Sequence, residues 1–322
     1  MPMDSVFEDV RSILENRRIR SEILRQQKNE LILKEHPQLQ KIEEQISEIS
    51  GQILLNSLDG KNSDDLSSEL RKLQRKKEDI LMKCGISAED FEVEPYCKKC
   101  GDTGYVHVTG KDGTKTEMLC ECMRSLLAPV MLSRSGVDRY PDYSFEKGSE
   151  EFFSSDPVML GTYTKLRLLA EKEKVPNAVF YGASGKGKTF TAVAIARQYA
   201  MQGRFSLVVR IAEAQELLME HRKMIQSFYT PAQKERMIEK KVSYLTDADL
   251  LVLDDLGIEP RTANSEADLL NILDMRELAG KTTVITTNLD METLKERYRG
   301  RVFDRIDRNF LKFHFSTGGK RP

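Results

Sequence analysis

From residue 4 to about residue 83 the chain is dominated by charged and polar positions, with apolar residues recurring every three or four places. Leu39, Ile42, Ile46, Ile49 and Ile53 form one such row, and Leu66, Leu70, Leu73 and Ile80 continue it after a break. That spacing predicts helices sharing an a/d seam. The break, Asn56 to Ser63, is rich in turn formers, and Ser63 or Asp64 can cap the helix that follows. The pattern therefore predicts an antiparallel helical hairpin with two unequal arms. Such a hairpin serves either as a solvated spacer or as a docking module. Its short seam leaves room for a partner helix.

Past residue 176 the pattern changes to short apolar runs separated by helical stretches. Asn177–Tyr181, Ser206–Ile211, Leu250–Asp255, Thr282–Thr287 and Lys312–Phe315 each read as a strand. Strands alternating with helical segments predict a doubly wound, three-layer α/β domain with a parallel sheet. Between these halves, residues 124 to 176 read as a connector anchored by Tyr140, Tyr143, Phe145, Phe152 and Phe153. These aromatics either pack the connector onto the domain or set one ring against a bound base.

The chemistry centres on Gly182–Thr189, GASGKGKT, which fits the phosphate-loop pattern G-x-x-x-x-G-K-[ST]. Gly182, Gly185 and Gly187 can take positive φ, which lets backbone N–H groups around Ser184 and Lys186 close on a polyphosphate. Lys188 supplies charge to the β/γ-phosphates and the Thr189 hydroxyl suits Mg²⁺. The motif follows a predicted strand and opens an Ala-rich helical stretch, as its chemistry requires. Downstream, Leu250-Leu-Val-Leu ends in Asp254 and Asp255. Asp254 is expected to hold the Mg²⁺ shell and Asp255 to orient or activate the attacking water. Asn288 follows the strand Thr282–Thr287, at the carboxyl edge where open α/β sheets bind ligands.

Four of the five cysteines cluster, as Cys97-x-x-Cys100 and Cys120-x-Cys122. The alternating segment Tyr105–Val108 and the turn at Gly110–Gly113 suggest a hairpin that joins the pairs. Four thiolates so arranged suit a closed tetrahedral Zn²⁺ site, with His107 as a substitute ligand; the alternative is four reduced, unliganded thiols. Cys84 lies outside the group, at a predicted helix end.

Composition narrows the setting. Lys and Arg total 50 against 51 Asp and Glu, so any nucleic-acid surface must be a local basic patch. No apolar run reaches the ~20 residues of a membrane span, and the acidic N-terminus lacks a secretory core, which predicts a soluble cytoplasmic protein with no membrane partner.

The ordered motifs GASGKGKT, LLVLDDLG, VITTN and GRVFDRI resemble the AAA+ ATPases of the bacterial helicase-loader family, the DnaC/DnaI type, with its IstB-like transposition relatives. The resemblance covers roughly residues 140–322; the N-terminal helices and cysteine cluster resemble the DnaI-like branch. It implies ATP with Mg²⁺ at Lys188, Thr189, Asp254 and Asp255, Asn288 as sensor 1, and Arg305 as an arginine finger acting on a neighbouring subunit. It implies Arg301 as a second basic residue on the face of Arg305, and leaves Arg321 as the one candidate for sensor 2. It also implies a division into a helicase-binding helical region (1–92), a zinc module (93–135) and the AAA+ domain (136–322). The implied function is ATP-dependent loading of a hexameric replicative helicase onto single-stranded DNA, with self-association through the ATP sites. A transposase-assisting ATPase and a nucleotide-gated adaptor with little hydrolysis are the alternatives.

Two features depart from the common AAA+ pattern. Asp stands at position 255 where many relatives carry Glu, which predicts slow hydrolysis. The chain also runs only to Pro322 beyond the last predicted strand, too short for a full C-terminal helical lid. Residues 212–247 carry Arg222, Lys223, Lys234, Arg236, Lys240 and Lys241 around Phe228 and Tyr229. They read either as a single-stranded-DNA path or, given Glu216, Glu220, Glu235 and Glu239, as a solvated helix pair.

Overall fold

The N-terminal helices are set by one proline. In a computed structural model, which describes residues 3–58, 61–109, 113–146, 153, 156–172, 175–227, 230–260, 264–298 and 300–315, α1 (Met3–Glu35) stops just before His36 and Pro37 opens α2 (Pro37–Leu58). Proline disfavours helical backbone in the residue before it but fits the first helical turn. α3 (Asp64–Cys84) packs along α2. The hairpin thus has two nearly equal arms, of 22 and 21 residues, and a third helix of 33 residues precedes it. The arms were expected to be unequal because the break at Pro37 carries no turn-rich loop to mark it.

The seam lies where the spacing placed it. Leu39, Ile49 and Leu73 are buried and Ile42, Ile46, Ile53, Leu66, Leu70 and Ile80 half-buried. A Lys77–Glu43 ion pair crosses between the arms. Ser63 holds the N-cap position of α3 without a capping hydrogen bond; Asn62 Oδ1 instead accepts the Asp64 N–H at 2.9 Å. At the other end Gly85 takes a left-handed φ of 69°, and its N–H closes the last turn onto Leu81 and Met82. Strands β1 (Tyr105–Thr109) and β2 (Lys115–Leu119) form a two-stranded sheet. The turn residues 110–112 lie outside the described residues.

The chain divides into two compact units, Arg11–Met118 and Leu119–Pro322 with Met1–Val10. In the second, α4 (Glu121–Arg134) and α5 (Pro157–Glu171) precede the sheet. Then come β3 (Ala178–Tyr181), α6 (Lys188–Met201), β4 (Ser206–Arg210), α7 (Ile211–Gln226), α8 (Ala232–Asp247) and β5 (Leu250–Leu256). The unit continues with α9 (Ser265–Leu278), β6 (Thr282–Thr287), α10 (Met291–Arg297), α11 (Arg301–Asn309) and β7 (Leu311–His314). The five strands are parallel in the order β4-β5-β6-β3-β7. All five expected strands form, with β7 beginning one residue earlier than the apolar run suggested.

Each face of the sheet has its own apolar layer. One contains Phe145, Phe153, Tyr163, Phe190, Ala192–Ala196 and Tyr199. The other contains Ile211, Leu245, Leu269, Leu273, Leu294, Val302 and Ile306. A parallel sheet covered on both faces explains why Leu250–Leu253 is a continuous apolar run, fully buried. The outer edge of β4 is covered by the connector, where the Val208 N–H donates to Ser135 O at 2.7 Å. Gly136 makes this approach feasible: its φ is 73°, and a Cβ there would sit 2.6 Å from Val208 O. Among the described residues no helix is long and apolar enough to cross a membrane.

Candidate nucleotide site and cysteine cluster

The phosphate loop leaves β3 at Tyr181 and enters α6 at Lys188. Gly182, Gly185 and Gly187 all have positive φ, of 122°, 76° and 88°. Gly182 is also sterically required, since a Cβ would meet Phe315 O at 2.6 Å. Ser184 to Thr189 line an open cleft of about 250 Å³ together with Asp254, Asp255 and Asn288. The predicted phosphate, metal and water residues therefore come together at the carboxyl edge of the sheet.

Lys188 is buried, and its ammonium donates to the carbonyls of Gly182 and Ala183, each at 2.7 Å. Burial pushes its pKa down, opposed by the charges of Asp255 and Asp254. Asp254 is also buried and accepts hydroxyl hydrogen bonds from Thr189 at 2.8 Å and Thr286 at 2.6 Å. Burial raises its pKa, and the two hydroxyls oppose that shift. A desolvated ammonium beside a glycine cradle fits a polyphosphate, and a hydroxyl touching a buried carboxylate fits Mg²⁺.

Asp255 owes its direction to a backbone irregularity. The β5–β6 register shifts between Leu253 and Leu256, and Asp255 adopts a φ of 59°. A bulge of this kind re-aims a side chain at the end of a strand. The Thr286 hydroxyl accepts the Asp255 N–H at 3.0 Å, and Asp255 Oδ1 accepts the Asn288 amide at 3.3 Å.

Four more residues line the cleft: Tyr140, Tyr143, Phe190 and Arg210. The Tyr140 and Tyr143 rings stand 5.2 Å apart, and Tyr143 is also 5.2 Å from Phe190. Arg197 on α6 fixes this wall by donating to the carbonyls of Tyr143, Val137 and Tyr140 at 2.9, 3.1 and 2.7 Å. Arg210 ends β4 in register with Asp254. Phe145 and Phe153 instead pack into the core, and Phe152 lies outside the described residues. Sequence reasoning missed Arg197 and Arg210. A lone guanidinium in the Ala-rich helix after the loop was a usable signal for Arg197; nothing in the pattern marked Arg210.

Arg305 lies elsewhere. With Arg301, Arg308 and Asp274 it lines a second cavity, on α9 and α11. Its guanidinium donates to Asp274 at 2.6 Å and lies 3.7 Å from Glu277. Both of these partners lie on α9, while Asp307 on the helix of Arg305 pairs with Lys312. Arg321 lies outside the described residues.

The sulfurs of Cys97, Cys100, Cys120 and Cys122 all lie within 4.8 Å of one another. Tetrahedral zinc with Zn–S bonds of ~2.3 Å holds its sulfurs ~3.8 Å apart, so this donor set fits a structural zinc ion. The first pair sits on a tight turn in which Gly101, Asp102 and Gly104 have positive φ. Buried Asp102 accepts the N–H groups of Tyr96 and Cys97, both at 2.9 Å, and the Gly104 N–H points at Cys100 Sγ at 3.4 Å. Asp102 was not singled out from sequence. His107 is exposed on β1, outside this group, and Cys84 is exposed at the end of α3.

The basic segment 212–247 forms the helix pair α7 and α8. Arg222 pairs with Asp268 at 2.6 Å, Lys234 with Glu220 at 3.2 Å, and the Lys240 ammonium sits over the Tyr244 ring. These partners reduce the positive charge available to a phosphate backbone. Phe228 and Tyr229 lie outside the described residues.

Fold and cleft together define a P-loop nucleotide-binding domain. Residues 149–304 match the family model described as IstB-like ATP binding protein. The chain is 32% identical over 133 residues to the uncharacterized protein YdaV of Escherichia coli K12, a match covering 41% of this chain and 50% of YdaV. It is 27% identical over 179 residues to the replicative helicase loader DnaC of Buchnera aphidicola (subsp. Schizaphis graminum), covering 55% of this chain and 68% of that protein. A crystal structure of the DnaC helicase loader matches 57% of this chain and 98% of its own, at 20% identity and a TM-score of 0.40. The chain spans about half the length of YdaV, the first of these relatives. The DnaC-type resemblance drawn from the motifs is matched by the Buchnera DnaC over 179 residues of the chain.

Proposed function

We propose that the chain is an ATP-dependent loader that binds a hexameric replicative helicase and helps place it on single-stranded DNA. The observation that carries this reading is a P-loop cleft that gathers its acids and polar sensor, on a chain similar to DnaC over 179 residues. ATP binding would move the Lys188 ammonium from the Gly182 and Ala183 carbonyls to the β/γ-phosphates. Thr189 and Asp254 would hold Mg²⁺, which supplies neutralising charge at the phosphate oxygens. Asp255, held by Thr286 and Asn288, would orient the attacking water. Tyr140 and Tyr143 would wall the base. Arg305 would complete the site of a neighbouring subunit, so turnover would depend on self-association.

The helical region would hold the helicase. Ile19, Ile23 and Leu31 on α1 and Leu54, Leu55 and Leu58 at the end of α2 are exposed, and exposed apolar residues on helices suit docking. The zinc module would be structural. The assignment of residues 1–92, 93–135 and 136–322 to helicase binding, zinc and ATPase belongs to the same proposal.

A second reading, the alternative the motif resemblance offers and the IstB-like family match favours, is an ATPase that assists a transposase. Copurification of the full chain with the replicative helicase hexamer, with and without ATP, separates them. A stable helicase complex supports the loader. Binding to a transposase and not to the helicase supports the alternative.

A further inference from the structure

One buried carboxylate near the cleft has no part in the chemistry above. Glu259 is only 3% exposed, as is Tyr298, which ends α10. Its two oxygens have different donors. Oε2 accepts the Gly257 N–H at 2.8 Å, and Oε1 accepts the Tyr298 hydroxyl. The Glu259 carbonyl in turn accepts from the Arg297 guanidinium. Burial first, and then the Glu259 carboxylate, push the Tyr298 phenol above its ordinary pKa, which keeps it a donor. A carboxylate taken out of water costs stability unless every lone pair is used. Here one oxygen holds a backbone N–H, of Gly257, and the other a side-chain hydroxyl, of Tyr298.

The Gly257 partner belongs to the turn that carries Asp255. Gly257, two residues on, has a φ of 105°, and a Cβ there would lie 2.5 Å from Leu289 Cδ1. Leu289 directly follows Asn288, whose amide bonds Asp255. The Thr287 hydroxyl donates to Leu256 O at 2.6 Å, closing the other side of the same turn. The left-handed backbone at Asp255 is a conformation that a non-glycine residue keeps only when its surroundings fix it. We propose that Glu259 is a positioning residue for Asp255: by bridging the Gly257 N–H and the Tyr298 hydroxyl it locks the bulged turn that aims the Asp255 carboxylate. The inference rests on the reading of Asp255 as the group that orients water. It adds that the lock is anchored on α10, immediately before the helix that carries Arg301 and Arg305.

The test compares kcat and ATP Kd for the full chain and the variants Asp255→Asn, Glu259→Ala, Glu259→Gln, Tyr298→Phe and the double variant Asp255→Asn/Glu259→Ala. Glu259→Ala should lower kcat roughly 10- to 100-fold, as small misplacements of reacting groups do, and leave Kd unchanged. Glu259→Gln retains an acceptor for Gly257 and should recover most of the rate. In the Asp255→Asn background Glu259→Ala should cost nothing more, because there is no aimed carboxylate left to misplace. A further additive loss in the double variant would overturn the inference. So would full kcat in Glu259→Ala while Asp255→Asn is inactive, and that outcome would leave the reading of Asp255 standing. Full kcat in Asp255→Asn would instead remove both. Should Glu259→Ala fail to fold, Tyr298→Phe decides: it keeps the carboxylate, loses one donor, and should lower kcat at constant Kd. An unchanged kcat there would overturn the inference.

Discussion

The Thr189 hydroxyl donates to Asp254 Oδ1 at 2.8 Å, joining the first turn of α6 to the end of β5 across 65 residues of sequence. The two groups that would share Mg²⁺ are therefore already in contact, through a carboxylate that burial disfavours as an anion. Asp254 consequently has a raised pKa and binds more protons in the folded than in the unfolded chain over the range just above its ordinary value of 3.8. Its contribution to stability falls as pH rises through that range and remains unfavourable at neutral pH. Asp254→Asn keeps an acceptor for both hydroxyls. It should raise the melting temperature of the nucleotide-free protein at pH 7, with the gain shrinking toward pH 4. A lower melting temperature at pH 7 would show that the carboxylate is stabilised rather than stressed.

Lys188→Ala removes the ammonium and leaves the Gly182 and Ala183 carbonyls without it. Hydrogen bonds to charged groups contribute about 1.5–3 kcal/mol, so ATP Kd should rise roughly 10- to 100-fold. Equilibrium binding of ATP by the purified variant checks this, and an unchanged Kd would remove the phosphate-loop assignment.

How much of this was legible beforehand depended on whether backbone geometry or packing made the demand. Gly182, Gly185 and Gly187 were legible because positive φ at fixed spacing admits few residue types. The run Leu250–Leu253 before Asp254 was legible because a strand covered on both faces needs four apolar residues in succession. Arg210 was not, because its place beside Asp254 comes from the β4–β5 register, a relation between distant segments. Glu259 was not legible either, since only the fold brings Tyr298 to it. The helical seam was read correctly, but the lengths of the hairpin arms were not. A helix break at Pro37 needs one residue and leaves the apolar spacing nearly intact.

The four clustered cysteines should hold one zinc ion per chain. Elemental analysis of protein purified under reducing, chelator-free conditions checks the stoichiometry. Cys97→Ser should lower the zinc content while ATP Kd stays the same, because the nucleotide cleft is built from other residues. Full zinc occupancy in that variant would exclude Cys97 as a ligand.

Arg305 lies outside the cleft and is held by Asp274 and Glu277 on an exposed face. Exposed ion pairs are screened by water and add little to stability, so Arg305→Ala should scarcely change the melting temperature. It should nevertheless lower ATP turnover, most of all at high protein concentration. Mixing Arg305→Ala with Lys188→Ala protein should restore part of the rate, because the second subunit donates its arginine to the first subunit's phosphate loop. No recovery under conditions where the two associate would count against a role in trans.

The central claim is ATP-dependent loading, and it is tested most directly on closed circular single-stranded DNA, which a hexameric ring cannot thread unaided. The replicative helicase, the DNA and ATP are mixed with the full chain, and helicase retained on the circle after a high-salt wash is measured. The account predicts that retention rises with the wild-type chain and stays at the level of helicase alone with Lys188→Ala. Equal retention with and without the wild-type chain, or full retention with Lys188→Ala, would contradict it.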